Sequence, residues 1–193
     1  PWLVGRDPTE LDPSGVAAAV IESVAENSVD AVIAPVFWAV VAGPPGAAAY
    51  RAINTMDAMV GHRNDRYRNF GWAAARIDDV ANYLPARILA LLIAAQAPNR
   101  AIEILAAVRF QAPAHPSPNA GVAEAAMAAA LGRELGGPLR YGSEAEIRPR
   151  LGAGPRPDPN DIPVAVRIAN RAELAAIGIL ALAGLIGALR RRT

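Results

Sequence analysis

The sequence predicts an all-α fold, a helical membrane protein with short or re-entrant apolar helices and a C-terminal transmembrane helix. Three observations predict it. Of the 193 residues, 53% are hydrophobic and 19% charged, with a formal net charge of +1 and a mean hydropathy of +0.20, a balance that suits lipid better than bulk water. Leu174 to Leu189 is wholly apolar and is followed by Arg190, Arg191 and Arg192, a span with a basic stop. Much of the remainder is Ala-rich sequence with capping residues and breakers at helix-sized intervals.

Asp12 or Ser14 is placed to cap a first helix that runs to about Ser28. If that helix continues, Glu22, Glu26 and Asp30 share one stripe. Carboxylates at that spacing repel by about 0.2–0.5 kcal/mol per pair, and a nearby metal ion or arginine reverses the sign. Ala31 to Ala42 is an apolar run that contains Pro35 and stops at Gly43-Pro44-Pro45-Gly46. As a helix it covers only about 18 Å of a hydrocarbon core about 30 Å thick. It therefore reads as a re-entrant or partly submerged segment, or as the core helix of a soluble domain.

The next helix, about Ala47 to Val60, sets Tyr50, Arg51, Asn54 and Asp57 on one face. His62 to Tyr67 has no apolar period and reads as a loop. Trp72 to Ala97 reads as a helix with a break before Pro85, carrying Arg76, Asp79 and Tyr83 on one stripe and Asp78 with Asn82 on a neighbouring one. A short amphipathic helix follows near Ala101 to Phe110. After the turn from His115 to Asn119, Asn119 is placed to cap an Ala-rich helix that ends at Gly136-Gly137-Pro138. Residues 138–162 are rich in Pro, Gly and Arg and read as an irregular loop. Asp161 and Pro163 start the last helix, 163–193, in which Ala183 with Gly187 and Gly184 with Ala188 have the small-residue spacing of close helix contacts. The positive-inside rule puts this C-terminus in the cytoplasm. Residues 1–193 read as one domain and, opening on Pro1 with no signal segment, as the C-terminal part of a longer protein.

Composition also narrows the chemistry. There is no cysteine, which removes thiol nucleophiles, disulfides and Cys-based metal sites. All 19 basic residues are arginine, so neither a Walker lysine nor a Schiff base is available and phosphate must be held by arginine, backbone amides or metal. Two histidines are too few for a three-His zinc site. A net charge of +1 argues against a nucleic-acid footprint, although Arg63, Arg66 and Arg68 interleave with Tyr67, Phe70 and Trp72. Charged and amide side chains crowd between Glu22 and Asn82 in otherwise apolar sequence. Burying them is costly unless they are paired or bind an ion, which suggests a site for an ionic substrate. The plainer readings are a solvated face for the acidic stripe, a cytoplasmic loop for His62 to Tyr67, and an internal ion pair for Arg76 with Asp78 or Asp79.

The strings ESVAENSVDAVIAPVFWA (22–39), AYRAINTMDAMVGHRNDRYRNFGWAAARIDDVANYLPAR (49–87), HPSPNAG (115–121) and LGGP (135–138) resemble the adenosylcobinamide-phosphate synthases of cobalamin biosynthesis, the CobD/CbiB family. The resemblance implies a polytopic protein of the cell inner membrane with further helices N-terminal to this chain. It also implies ATP-dependent joining of adenosylcobyric acid to 1-amino-2-propanol phosphate, with the active site facing the cytoplasm. On that reading Glu26, Asp30, Asp57 and His62 are the catalytic candidates. Arg51, Asn54, Arg63, Asn64, Arg66, Tyr67, Asn82 and Asn119 are the substrate and phosphate candidates, and Glu22, Glu26, Asp30, Asp78 and Asp79 the ligands of magnesium that accompanies ATP. Implied partners are the corrinoid and amino alcohol phosphate substrates, membrane lipid, a second copy of the chain or other corrinoid-pathway membrane enzymes, and no nucleic acid. Arg140 departs from the family pattern, where an amide or small residue is more typical. The alternative is a non-enzymatic, sensor-like membrane protein on the same scaffold; the acidic stripe and the HRNDRY loop argue against it.

Overall fold

Asp12 starts the first helix: its side chain accepts the Gly15 N–H at 2.6 Å, and Pro13 takes a first-turn position that needs no donor. The computed structural model describes residues 11–61, 68–141 and 144–190. Helix α1 (Pro13–Asn27) widens into a π-helical segment, Ser28–Ile33, and runs on into α2 (Ala34–Val60). The apolar run after Asp30 is therefore not an isolated short helix. It is the far end of an ascent from Pro13 to Ala42, roughly 45 Å long.

The ascent ends at Gly43, whose φ of +69° suits glycine alone, and Pro44 with Pro45 opens the return. A straight helix would separate residues 38 and 46 by about 12 Å. Instead a Cβ at Gly46 would stand 2.6 Å from the Trp38 carbonyl oxygen. Further from the tip, the Tyr50 hydroxyl and Arg51 Nη1 reach the Asp30 carbonyl at 3.3 and 3.4 Å. Pro13 to Val60 thus folds as a helical hairpin, a shape compatible with the re-entrant reading among those the sequence leaves open for Ala31 to Ala42.

Helix α3 (Arg68–Gln96) lies along the returning arm, with Gly71 against Val60, Asp78 beside Asn54 and Asn82 beside Tyr50. It runs straight through Pro85, where the sequence predicted a break. Pro85 has no N–H for the Ala81 carbonyl four residues back, and the Trp38 indole N–H bonds that oxygen instead, at 3.1 Å. Helix α4 (Ala101–Phe110) follows at the expected place, the chain bending by 111° between them.

Helix α5 (Ala120–Leu131) is buried from Gly121 to Ala129. It ends at Gly132 (φ +67°) rather than at the Gly-Gly-Pro. Those glycines lie in β1 (Glu134–Tyr141), which pairs antiparallel with β2 (Glu144–Gly152), Glu134 opposite Gly152 and Tyr141 opposite Glu144. Most of the stretch read as an irregular loop is therefore a β-ribbon. Its signal was present: Glu144, Glu146, Arg148 and Arg150 alternate with Ala145, Ile147, Pro149 and Leu151, a period of two.

Helix α6 (Ile162–Arg190) is preceded by a reciprocal cap in which Asp158 accepts the Asn160 N–H at 2.7 Å and Asp161 accepts the Asp158 N–H at 2.8 Å. The core joins Ile21, Ala25 and Val29 to Leu89 and Ile93 of α3, Ile104 of α4, the apolar residues of α5 from Val122 to Ala129, and Ala165, Ala169, Ala172 and Ala176 of α6. Beyond Ala176 the last helix leaves that core and exposes Leu182, Leu185 and Leu189. Gly184 faces Val40 of the hairpin, whereas among the described residues nothing stands within 4 Å of a Cβ at Gly187, so Gly184 is the one of that pair seen to make a close contact. Pro13–Val60 and Pro159–Gly187 are long and apolar enough to cross a membrane, and α3 with α4 makes a third, bent candidate.

Candidate functional site

Where the open end of the helical hairpin meets α3, polar side chains converge. The Tyr50 hydroxyl donates to Asn82 Oδ1 at 2.9 Å, and Asn82 Nδ2 donates to Asp78 Oδ2 at 3.0 Å. Asn54 Nδ2 donates to the other oxygen of Asp78 at 3.4 Å, while its Oδ1 accepts from Arg51 Nη1 at 3.2 Å. Asp30 and Asp57 lie within electrostatic reach of Asp78. Asp30 sits in the π-helical segment, a distortion of a kind often found at functional sites. The spacings of three and four along α2 and α3 are what aim Tyr50, Asn54, Asp57, Asp78 and Asn82 at one another. Charges inside apolar helices persist when they are hydrogen-bonded or bind an ion, and this set leaves Asp30, Asp57 and the Arg51 guanidinium around one polar centre.

A second polar cluster lies between α1, α5 and the β-ribbon. Glu22 Oε1 accepts the Gly136 N–H at 2.9 Å. Glu124, alone among alanines on α5 and fully buried, stands 3.6 Å from His115 Nε2 and 3.8 Å from Arg148 Nη1, with Glu22 and Glu26 close by. Burial pushes the Glu124 carboxyl well above its ordinary range, reinforced by Glu26 and Glu22. Burial also pushes the His115 ring below its ordinary value, so the imidazole is neutral near pH 7.

The acidic stripe is accordingly divided. Glu22 faces the β-ribbon, Asp30 faces the hairpin site, and Glu26 lies within reach of both Asp30 and Glu124. Asp79 pairs with Arg76 at 3.1 Å while staying within electrostatic reach of Asp57 and Asp78. Asn119 does not cap α5 with its side chain; Ser117 Oγ accepts the Asn119 and Ala120 N–H groups, while Asn119 donates to the Asp79 carbonyl and accepts from Arg87 Nη1, both at 2.8 Å. His62, Arg63, Asn64, Arg66 and Tyr67 lie outside the described residues. Among the described residues, no three His, Asp or Glu side chains stand together in metal-holding geometry, so the five metal candidates are not assembled as one site. Sequence reading passed over Arg87, Glu124 and Arg148. A lone carboxylate in an otherwise apolar helix was the available signal for Glu124.

A membrane scaffold whose re-entrant helical hairpin closes on hydrogen-bonded carboxylates and amides defines a helical membrane protein with an internal polar site. The chain belongs to the CobD/Cbib protein family, whose sequence model matches residues 1–169. It is 49% identical over 188 residues to the cobalamin biosynthesis protein CobD of Rhodobacter capsulatus, covering 97% of this chain and 59% of that protein. Identity to the protein of the same name from Chromobacterium violaceum is 53% over 189 residues, covering 97% and 60%. The Mycobacterium tuberculosis protein matches at 50% over 184 residues, covering 94% and 58%. The chain thus spans less than two thirds of these relatives. No solved structure matches it.

Proposed function

We propose that this chain carries the polar site of a cobalamin-biosynthesis enzyme that joins adenosylcobyric acid to 1-amino-2-propanol phosphate, or a related amino alcohol phosphate, at the expense of ATP. The observation that carries the reading is the convergence of Asp30, Asn54, Asp57, Asp78 and Asn82 at the mouth of the helical hairpin, in a chain whose relatives are named for that pathway. Forming an amide from a carboxylate requires an activated acid. The corrinoid carboxylate attacks the γ-phosphorus of ATP and ADP leaves; the amine then displaces inorganic phosphate from the acyl carbon and gives up a proton. Phosphoryl transfer of this kind is promoted mainly by positioning and charge neutralisation.

Magnesium enters as the counter-ion of ATP and needs only one or two protein carboxylates beside the phosphates and water. Asp30 and Asp78 are the pair for it, with Asp57 beside them. Arg51, Arg63 and Arg66 grip phosphate oxygens. The site end of the molecule faces the cytoplasm, where ATP is, in the cell inner membrane. The exposed apolar faces meet lipid, a second copy or other corrinoid-pathway enzymes.

The test is product formation by the full-length protein. Asp30→Ala and Asp78→Ala should each lower adenosylcobinamide phosphate synthesis by about 100-fold or more while leaving membrane insertion intact. ATP should be consumed only when both corrinoid and amino alcohol phosphate are present. Normal synthesis by both variants would overturn the assignment of this site.

A further inference from the structure

The second cluster is not used by the phosphoryl chemistry, and at its centre stands an acid shut off from water. Glu124 lies there with Glu22 and Glu26 close by and with Arg148 and the neutral His115 imidazole beside it. Glu22 is served by the Gly136 amide. Glu124 is 0% exposed, and neither of its oxygens receives a hydrogen bond. His115 is turned toward it, with Nδ1 against the Ser117 backbone at 3.1 Å and Nε2 on the Glu124 side. At 3.6 Å from His115 and 3.8 Å from Arg148, both approaches are too long for hydrogen bonds. Burial therefore favours the protonated acid before a ligand binds. An ammonium brings both N–H donors and a counter-charge, and Glu124 meets it as the carboxylate after giving up that proton.

We infer that Glu124, with Glu26 and His115 beside it, forms a binding site for a primary ammonium group, the amine end of the amino alcohol phosphate, with Arg148 at its phosphate end; the choice of that ligand rests on the ligation proposed above. Three features select an ammonium. It carries three donors, and the carboxylates supply acceptors. The lack of a metal-holding group among the described residues disfavours a bare metal ion as the occupant. Arg148, whose side chain is 22% exposed against 1% for Glu124, stands on the outer side of the cluster, so a short molecule with an amine at one end and a phosphate at the other spans from inside to rim. Glu26 links this cluster electrostatically to Asp30, which puts the amine subsite next to the proposed phosphoryl site.

Binding of two phosphates to the full-length protein in detergent, without ATP or corrinoid, tests this. The wild type should bind 1-amino-2-propanol phosphate about tenfold or more tightly than 1,2-propanediol phosphate, which lacks the amine. Glu124→Gln should erase that preference while changing the affinity for the diol phosphate by less than about twofold. Arg148→Gln should weaken both. In the wild type, a carbodiimide should couple the ligand's amine to Glu124 or Glu26, an adduct located by mass spectrometry whether or not any variant folds. No amine preference in the wild type, unchanged preference in Glu124→Gln, or an adduct confined to Asp30 or Asp78 overturns the inference. Since neither ATP nor corrinoid is present, these results are read independently of whether the full-length protein forms the amide.

Discussion

Asn82 is the pivot of the hairpin site. Its carbonyl accepts from Tyr50 and its amide donates to Asp78, so one buried side chain settles two polar groups at once. Removing it leaves both without that partner, whereas Tyr50→Phe removes one donor and leaves one acceptor. Tyr50→Phe should therefore cost about 1 kcal/mol and Asn82→Leu about 2–4 kcal/mol of stability, measured by thermal denaturation in detergent. Equal costs would mean that Asn82 is not the shared partner. Much of this site was legible in the sequence, because Asp78 with Asn82 and Tyr50 with Asn54 and Asp57 already stand at helical spacing. Glu124 was harder to see, since its partners come from a turn, from another helix and from a strand whose existence the reading did not grant.

The bond between Trp38 and Ala81 couples two helices through a missing atom. Pro85 would ordinarily break α3, and what keeps the helix whole is an indole N–H from the hairpin's ascending arm filling the place of the absent amide. Trp38→Phe should cost stability in two ways: lost packing, and an orphaned, largely buried carbonyl worth about 1–3 kcal/mol. Pro85→Ala returns an N–H to that carbonyl. In the Pro85→Ala background Trp38→Phe should then be milder by about 1 kcal/mol, a coupling that a double-mutant cycle reads directly. Additive costs would show that the indole bond does not support the helix. No sequence rule anticipates such compensation, because it depends on a residue far along the chain arriving by the reversal at Gly43. The breaker itself was visible, and so was the turn at Gly43-Pro44; the β-ribbon was visible too, but its glycines and prolines masked the period of two.

At the scale of the molecule, the reversal at Gly43 and the course of α6 fix which ends share a side. Ser14 Oγ donates to the Pro157 carbonyl at 2.8 Å, so the start of α1 and the approach to α6 lie together. The hairpin returns its second arm toward that same end, past Asp30. The core gathers on α6 only as far as Ala176, and the apolar remainder runs on beside Val40 toward Arg190. If α6 crosses completely, the polar sites and the C-terminus cannot both face the cytoplasm, as the sequence reading had placed them. Arg100, Arg133, Arg148, Arg156, Arg167 and Arg171 lie on the body side and α6 ends at Arg190, so the cytoplasmic site end proposed above is open to a direct test. The chain has no cysteine of its own, so single-cysteine labelling requires only that any cysteine in the rest of the full-length protein be replaced first. Cysteines replacing Asp12, Met59 and Asn160 in the full-length protein should all react with a membrane-impermeant maleimide applied from the cytoplasmic side, and one replacing Leu189, at the end of α6, should react only from the opposite side. Met59→Cys and Asp12→Cys reacting from opposite sides would mean that Pro13 to Val60 passes straight through the membrane, and the shared polar site at the mouth of the hairpin would be lost with it.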